Sequence, residues 1–81
     1  MNWKTAALEE LRKNAKVEEV PGQENIYLVS VQSGEGLIRT LVRLDEVNER
    51  YHYMNAQEHA LDSVSELIES MQEHLEAEQQ A

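Results

Sequence analysis

The stretch from Asn25 to Leu44, NIYLVSVQSGEGLIRTLVRL, constrains the fold of this chain more than any other. Two runs rich in Val, Ile, Leu, Thr and Tyr flank Ser33-Gly34-Glu35-Gly36, and Gly supplies the positive backbone angles that a tight hairpin turn needs. With Gly34-Glu35 as the two turn residues, Val31 faces Ile38, Val29 faces Thr40 and Tyr27 faces Val42. Side chains alternate between the two faces of a strand, so this register gathers Tyr27, Val29, Val31, Ile38, Thr40, Val42 and Leu44 on one face, the predicted core. The other face carries Ile26, Leu28, Ser30, Leu37, Arg39, Leu41 and Arg43. Aliphatic side chains around two guanidiniums are too apolar for a fully solvated surface, so Leu28, Leu37, Arg39, Leu41 and Arg43 are candidate interface residues.

A helix is predicted before the hairpin. Asn2 can cap it, and Trp3, Ala7, Leu8, Leu11 and Ala15 recur at helical spacing. It must end before Val20-Pro21-Gly22, because Pro21 disfavours a helical conformation at the preceding residue. Residues 17–20 have room for a short edge strand. Beyond the hairpin, Asp45 is suited to capping a short turn, while Tyr51-His52-Tyr53-Met54 alternates with period two and predicts a third strand. Asn55-x-x-Glu58 fits a capping box and predicts the start of a long last helix. The expected fold is therefore α+β, in the order α-β-β-β-α, as one domain over residues 1–81 with a frayed tail at 77–81. A chain of 81 residues closes only one modest core, and without cysteine no disulfide supplements it. Oligomerisation, as a homodimer, is the expected remedy.

Charge sets the functional expectation. The net charge is −9, yet residues 1–44 hold six basic and six acidic side chains, so the whole excess lies in residues 45–81, where only Arg50 is basic. On a helix at about 100° per residue, Glu58, Asp62, Glu66, Glu69, Glu73 and Glu76 fall within one stripe about 80° wide. Such a stripe can be simply the wet side of an amphipathic helix. It has a cost, however: like charges at i,i+3 and i,i+4 destabilise by about 0.2–0.5 kcal/mol per pair. Carboxylates near a helix C-terminus also oppose the backbone dipole. An acidic surface kept at that cost predicts a basic protein partner. Direct nucleic-acid binding is disfavoured, because phosphate contacts need clustered Lys and Arg. The stripe carries about one charge per 5 Å, too dilute to imitate a duplex at one per ~1.7 Å, although two stripes side by side in a dimer would come near a single strand at one per ~3.4 Å and make the chain a candidate nucleic-acid mimic.

Met54, Leu61, Ile68 and Leu75 recur every seven residues, with Gln57, Val64 and Met71 three positions after the first three, an a/d seam. A helix over residues 55–81 would be about 40 Å long and overhang a body about 30 Å across, leaving Met71 and Leu75 to meet a second protomer. The alternative is a helix packed on its own sheet. His59 with Asp62 and His74 with Glu78 each offer two ligands where a metal needs three or four, and on one helix the pairs lie about 22 Å apart; no metal and no cofactor is predicted. Carboxylates on a convex face lack the cleft that acid–base catalysis requires, so no enzymatic activity is expected. Tyr51 and Tyr53 are more simply core or interface aromatics than stacking platforms for bases.

The α-β-β-β-α order is shared with double-stranded-RNA-binding domains, whose last helix opens with Lys residues that grip phosphates. Here that stretch, NAQEHALDSVSE, has no Lys or Arg, which excludes that use. In size and charge the chain is similar to small acidic proteins of phages and mobile elements that inhibit nucleic-acid-handling enzymes. The opening residues have no apolar signal region and no stretch approaches the ~20 apolar residues of a membrane span, so a cytoplasmic protein with no membrane contact is expected. Two functions follow as expectations: an acidic, non-catalytic modulator that docks on a basic protein, or a structural homodimer or assembly subunit whose carboxylates serve solubility only.

Overall fold

The computed structural model describes residues 2–34 and 36–77. It is an α+β domain: helix α1 (Trp3–Asn14), strands β1 (Lys16–Glu19), β2 (Ile26–Ser33), β3 (Gly36–Asp45), β4 (Arg50–Met54) and β5 (Glu58–Leu61), and helix α2 (Val64–His74). The strands form one antiparallel sheet in chain order, β1-β2-β3-β4-β5, so each strand pairs with its neighbour in sequence.

Local chemistry accounts for most boundaries. The Asn2 side chain accepts a hydrogen bond from the Thr5 amide at 2.9 Å, capping α1, and Arg12 and Lys13 occupy its last turn, where the dipole favours cations. After β1, Val20-Pro21-Gly22-Gln23 forms a turn closed by Gln23 N–H to Val20 O at 3.1 Å, with Gly22 at φ 78°. Pro at the second position and a positive-φ Gly at the third are what a type II turn requires. The hairpin register is the predicted one: Tyr27 opposite Val42, Val29 opposite Thr40, Val31 opposite Ile38. The Ser33–Gly36 pair closes it and Gly34 has φ 57°; Glu35 lies outside the described residues.

The two readings of residues 45–54 prove compatible. Asp45 Oδ1 accepts from the Val47 and Asn48 amides, both at 3.1 Å, and caps a turn; the chain then enters β4 through Glu49 at φ 54°. Tyr51 pairs with Leu44 and Tyr53 with Val42, which puts both tyrosines on the core face.

The long last helix is corrected. Residues 58–61 form a fifth strand on β4, and α2 begins only at Val64. Its cap is Ser63, whose hydroxyl accepts from Glu66 N–H at 3.1 Å while Glu66 Oε2 accepts from the Asp62 amide at 3.1 Å. Asn55 instead donates from Nδ2 to the His74 carbonyl at 2.9 Å, satisfying a carbonyl at the end of α2. With 11 residues, α2 is about 16 Å long and does not overhang the body. The heptad seam is therefore not a coiled coil: Met54 and Leu61 lie on strands. Met71 has 0% exposure inside its own core and Leu75 packs partly buried against that core, so neither is the projecting dimer contact that the spacing predicted. Of the tail expected to fray, Ala77 is partly buried against the core and residues 78–81 lie outside the described ones.

Ala7 and Leu11 of α1 and Val64, Leu67 and Met71 of α2 bury against Val29, Val31, Ile38, Val42 and Leu44 of the sheet. Trp3 meets Tyr51 with ring centroids 5.3 Å apart and tilted, a favourable aromatic geometry. Tyr53 and Ser70 share a buried hydroxyl–hydroxyl hydrogen bond at 2.6 Å that ties β4 to α2. Core residues come from only one face of the sheet, because both helices pack there. No helix among the described residues is long and apolar enough to cross a membrane.

Candidate functional site

The six stripe carboxylates divide into two sets. Glu58 projects from the outer face of β5, the face away from the helices, where its Oε1 lies 3.1 Å from His52 Nδ1 and 3.9 Å from Arg43 Nη2. Asp62, in the turn before α2, accepts from Arg50 Nε at 2.8 Å, and Arg50 also donates to the Ala60 carbonyl at 3.3 Å. These two belong to intramolecular ion pairs, not to a continuous helical stripe.

Glu66, Glu69 and Glu73 remain together on α2, within about 60° of arc over about 10 Å. Glu76 follows just past the helix end. All four are exposed. Among the described residues none of them forms an ion pair with Lys or Arg; Glu73 lies 3.9 Å from His74 Nε2, and Glu66 is engaged in the cap. The acidic surface is thus shorter than the spacing predicted but is still single-signed.

The outer sheet face is the second surface. Cross-strand register places Lys16 beside Ser30 and Ser30 beside Arg39, and Leu28 between Glu18 and Leu41. Leu41 is 54% and Met54 65% exposed, unusual for large apolar side chains, while Leu28, Leu37 and Ile26 are half-buried and Arg39 and Arg43 exposed. His52 lies on this face with Nε2 3.3 Å from Asp45 Oδ2 as well as Nδ1 against Glu58. Hydrogen bonds from the Asn48 side chain and amide, then from His52, hold the Asp45 carboxyl down at about 2 from its ordinary 3.8. Met54 and His52 were missed as surface-forming residues, although the parity of β4 carries the signal: if Tyr51 and Tyr53 face inward, their neighbours face outward.

Two histidines expected to stand apart are brought together. His59 stacks between Tyr53 and His74, at centroid distances of 4.8 and 4.7 Å, because β5 folds back beside the end of α2. Among the described residues no group of three or more His, Cys, Asp or Glu is arranged to hold a metal ion. Tyr51 and Tyr53 are 4% and 3% exposed, so neither offers a ring face to a base. Burial, with the Glu10 carboxylate, raises the Tyr51 hydroxyl above its usual pKa.

The geometry defines a small α+β domain with two helices on one face of a five-stranded antiparallel meander, an acidic helix surface on that side and, on the other, an open sheet face where exposed apolar side chains stand among paired acidic and basic ones. No protein-family model matches the chain, and neither a curated protein nor a solved structure is detectably similar to it.

Proposed function

We propose that this protein is a non-catalytic, cytoplasmic modulator that docks through Glu66, Glu69, Glu73 and Glu76 on a basic protein that handles nucleic acid, in the manner of the small acidic inhibitors of phages and mobile elements. One observation carries the reading. The fold supplies a guanidinium to Asp62 and brings another near Glu58, yet among the described residues no Lys or Arg forms an ion pair with the four carboxylates that follow. Unpaired single-signed charge accelerates encounter with an oppositely charged partner and rejects like-charged ones.

The test is the pair Glu69→Gln and Glu73→Gln, which spares the capping Glu66. It removes like-charge contacts at 66/69 and 69/73, so the fold should gain about 0.4–1 kcal/mol at low salt. A basic partner recovered by the wild type at about 0.05 M salt should be lost by the variant, and lost by the wild type at about 0.5 M. Undiminished binding by the more stable variant would leave the carboxylates with solubility as their only role.

A second reading, a structural homodimer or assembly subunit, draws on a separate observation, the exposure of Leu41 and Met54 on the sheet face. It predicts self-association that salt barely changes.

A further inference from the structure

The ring of His52 stands between two carboxylates that belong to different neighbours of β4. Its Nε2 lies 3.3 Å from Asp45 Oδ2, at the end of β3, and its Nδ1 lies 3.1 Å from Glu58 Oε1, at the start of β5. The register explains the reach. His52 sits opposite Arg43 and Ala60, so Asp45 and Glu58 are its diagonal neighbours on the two flanking strands. The side chains of His52 and Asp45 are only 14% and 12% exposed, whereas that of Glu58 is 55% exposed.

Proton count makes this arrangement conditional. An ionised carboxylate accepts hydrogen bonds and donates none, while a neutral imidazole has one N–H and one bare, accepting nitrogen. Neutral His52 can therefore satisfy one of its two carboxylates and must turn a lone pair toward the other. Only the imidazolium, with an N–H on each nitrogen, donates to both, and both bonds are then charge-assisted. Asp45 cannot supply the missing proton, because its carboxyl is held down at about 2.

The other charges around the ring leave that balance standing. On β3, Arg43 is the cross-strand partner of His52 and lies with Nη2 3.9 Å from Glu58 Oε1. On β4 itself, Arg50 is engaged at 2.8 Å by Asp62, which follows β5. Two carboxylates on the ring thus face one guanidinium, itself drawn to Glu58.

The two contacts differ in what their loss costs. A bond given up where water can replace it costs less than one given up in a shielded place. The neutral ring therefore keeps its N–H on Nε2, toward Asp45, and releases Glu58. Strand β5 is an edge strand of four residues, and Met54, opposite Glu58, is 65% exposed, so little packing replaces the lost bond.

We propose that His52 is a proton-operated clamp: its imidazolium ties the β3–β4 turn to the edge strand β5, and loss of the proton releases Glu58 and loosens β5, the strand that leads into α2. The clamp uses none of the α2 carboxylates, so it stands or falls apart from their docking on a partner. A contact that requires the added proton stabilises the fold on the acid side and fades as pH rises. Histidine is the side chain that changes charge between about pH 5 and 8, where exposed carboxylates stay ionised.

The experiment compares the full chain with His52→Gln, which has no proton to exchange in this range, and with Glu58→Gln, whose amide can accept from an N–H or donate to a bare nitrogen. Nitrogen NMR of the His52 ring should show N–H at both nitrogens at about pH 5.5 and at Nε2 alone at about pH 8.5. Over the same interval the melting temperature of the wild type should fall relative to that of His52→Gln by about 4 °C. The protection factors of the β5 amides should fall about fivefold. His59 and His74, on the helix side of the sheet, are common to all three proteins and cancel from the comparison. In Glu58→Gln both changes should shrink to less than about half. A ring whose proton count does not change across the interval, a melting difference that stays constant or moves the other way, unchanged β5 protection, or full pH dependence in Glu58→Gln would each overturn the proposal.

Discussion

The bond between Tyr53 and Ser70 offers the sharpest check on how α2 is held. The two hydroxyls meet at 2.6 Å, and their residues are 3% and 8% exposed, so neither group has water as a substitute partner. Ser70→Ala would leave the tyrosine hydroxyl buried and unpaired, at a cost of about 1–3 kcal/mol, offset by about 0.5 kcal/mol from the better helix propensity of alanine. Tyr53→Phe should cost less, about 1 kcal/mol, because a helical serine can turn its hydroxyl back to the carbonyl four residues earlier. The double variant removes both polar groups together and should cost little more than the milder single change. Chemical denaturation of all four proteins gives the coupling, expected at about 1 kcal/mol or more in favour of the pair. A destabilisation of 1 kcal/mol in a domain of this size lowers Tm by about 4–8 °C, so thermal melts resolve the differences as well. Additive single costs would refute the reasoning, for they would mean that each hydroxyl has another partner and that this bond does not tie β4 to α2.

Two further outcomes test the core and the β3–β4 turn. Val29→Asp should leave the chain unfolded by circular dichroism, since it places an unpaired carboxylate at a position with 0% exposure against a total stability of about 5–15 kcal/mol; a native spectrum would overturn the strand register. Asp45 titrates at about 2 when folded against an ordinary 3.8, so its contribution to stability is fully present above the ordinary value and lost as pH falls through about 2. The stability gap between wild type and Asp45→Asn should therefore narrow as the pH is taken down through that window, and a gap constant with pH would refute the role assigned to the carboxylate.

What the sequence determined by itself is what neighbours along the chain decide. The cap at Asn2, the stop at Pro21-Gly22 and the hairpin register each follow from residues close in sequence, and a register slip of one would turn Val29, Val31, Ile38 and Val42 out of the core. The signal for the true start of α2 was also present, as Ser63-x-x-Glu66 ahead of Val64, Leu67 and Met71, but Asn55-x-x-Glu58 offered a competing cap. Residues 58–61 satisfy both periodicities: Leu61 continues a helical row with Ile68, and His59 and Leu61 continue the alternation of Tyr51 and Tyr53. Tertiary structure chose the strand: residues 58–61 exchange backbone hydrogen bonds with β4, and the same pairing sets Leu61 against the core. That one choice divided the acidic stripe, sent Glu58 and Asp62 to Arg43 and Arg50, and stacked His59 on His74. It also left the outer row of Leu28, Leu41 and Met54 uncovered, since side-chain periodicity assigns a residue to a face but only the packing of whole elements decides which face a helix covers.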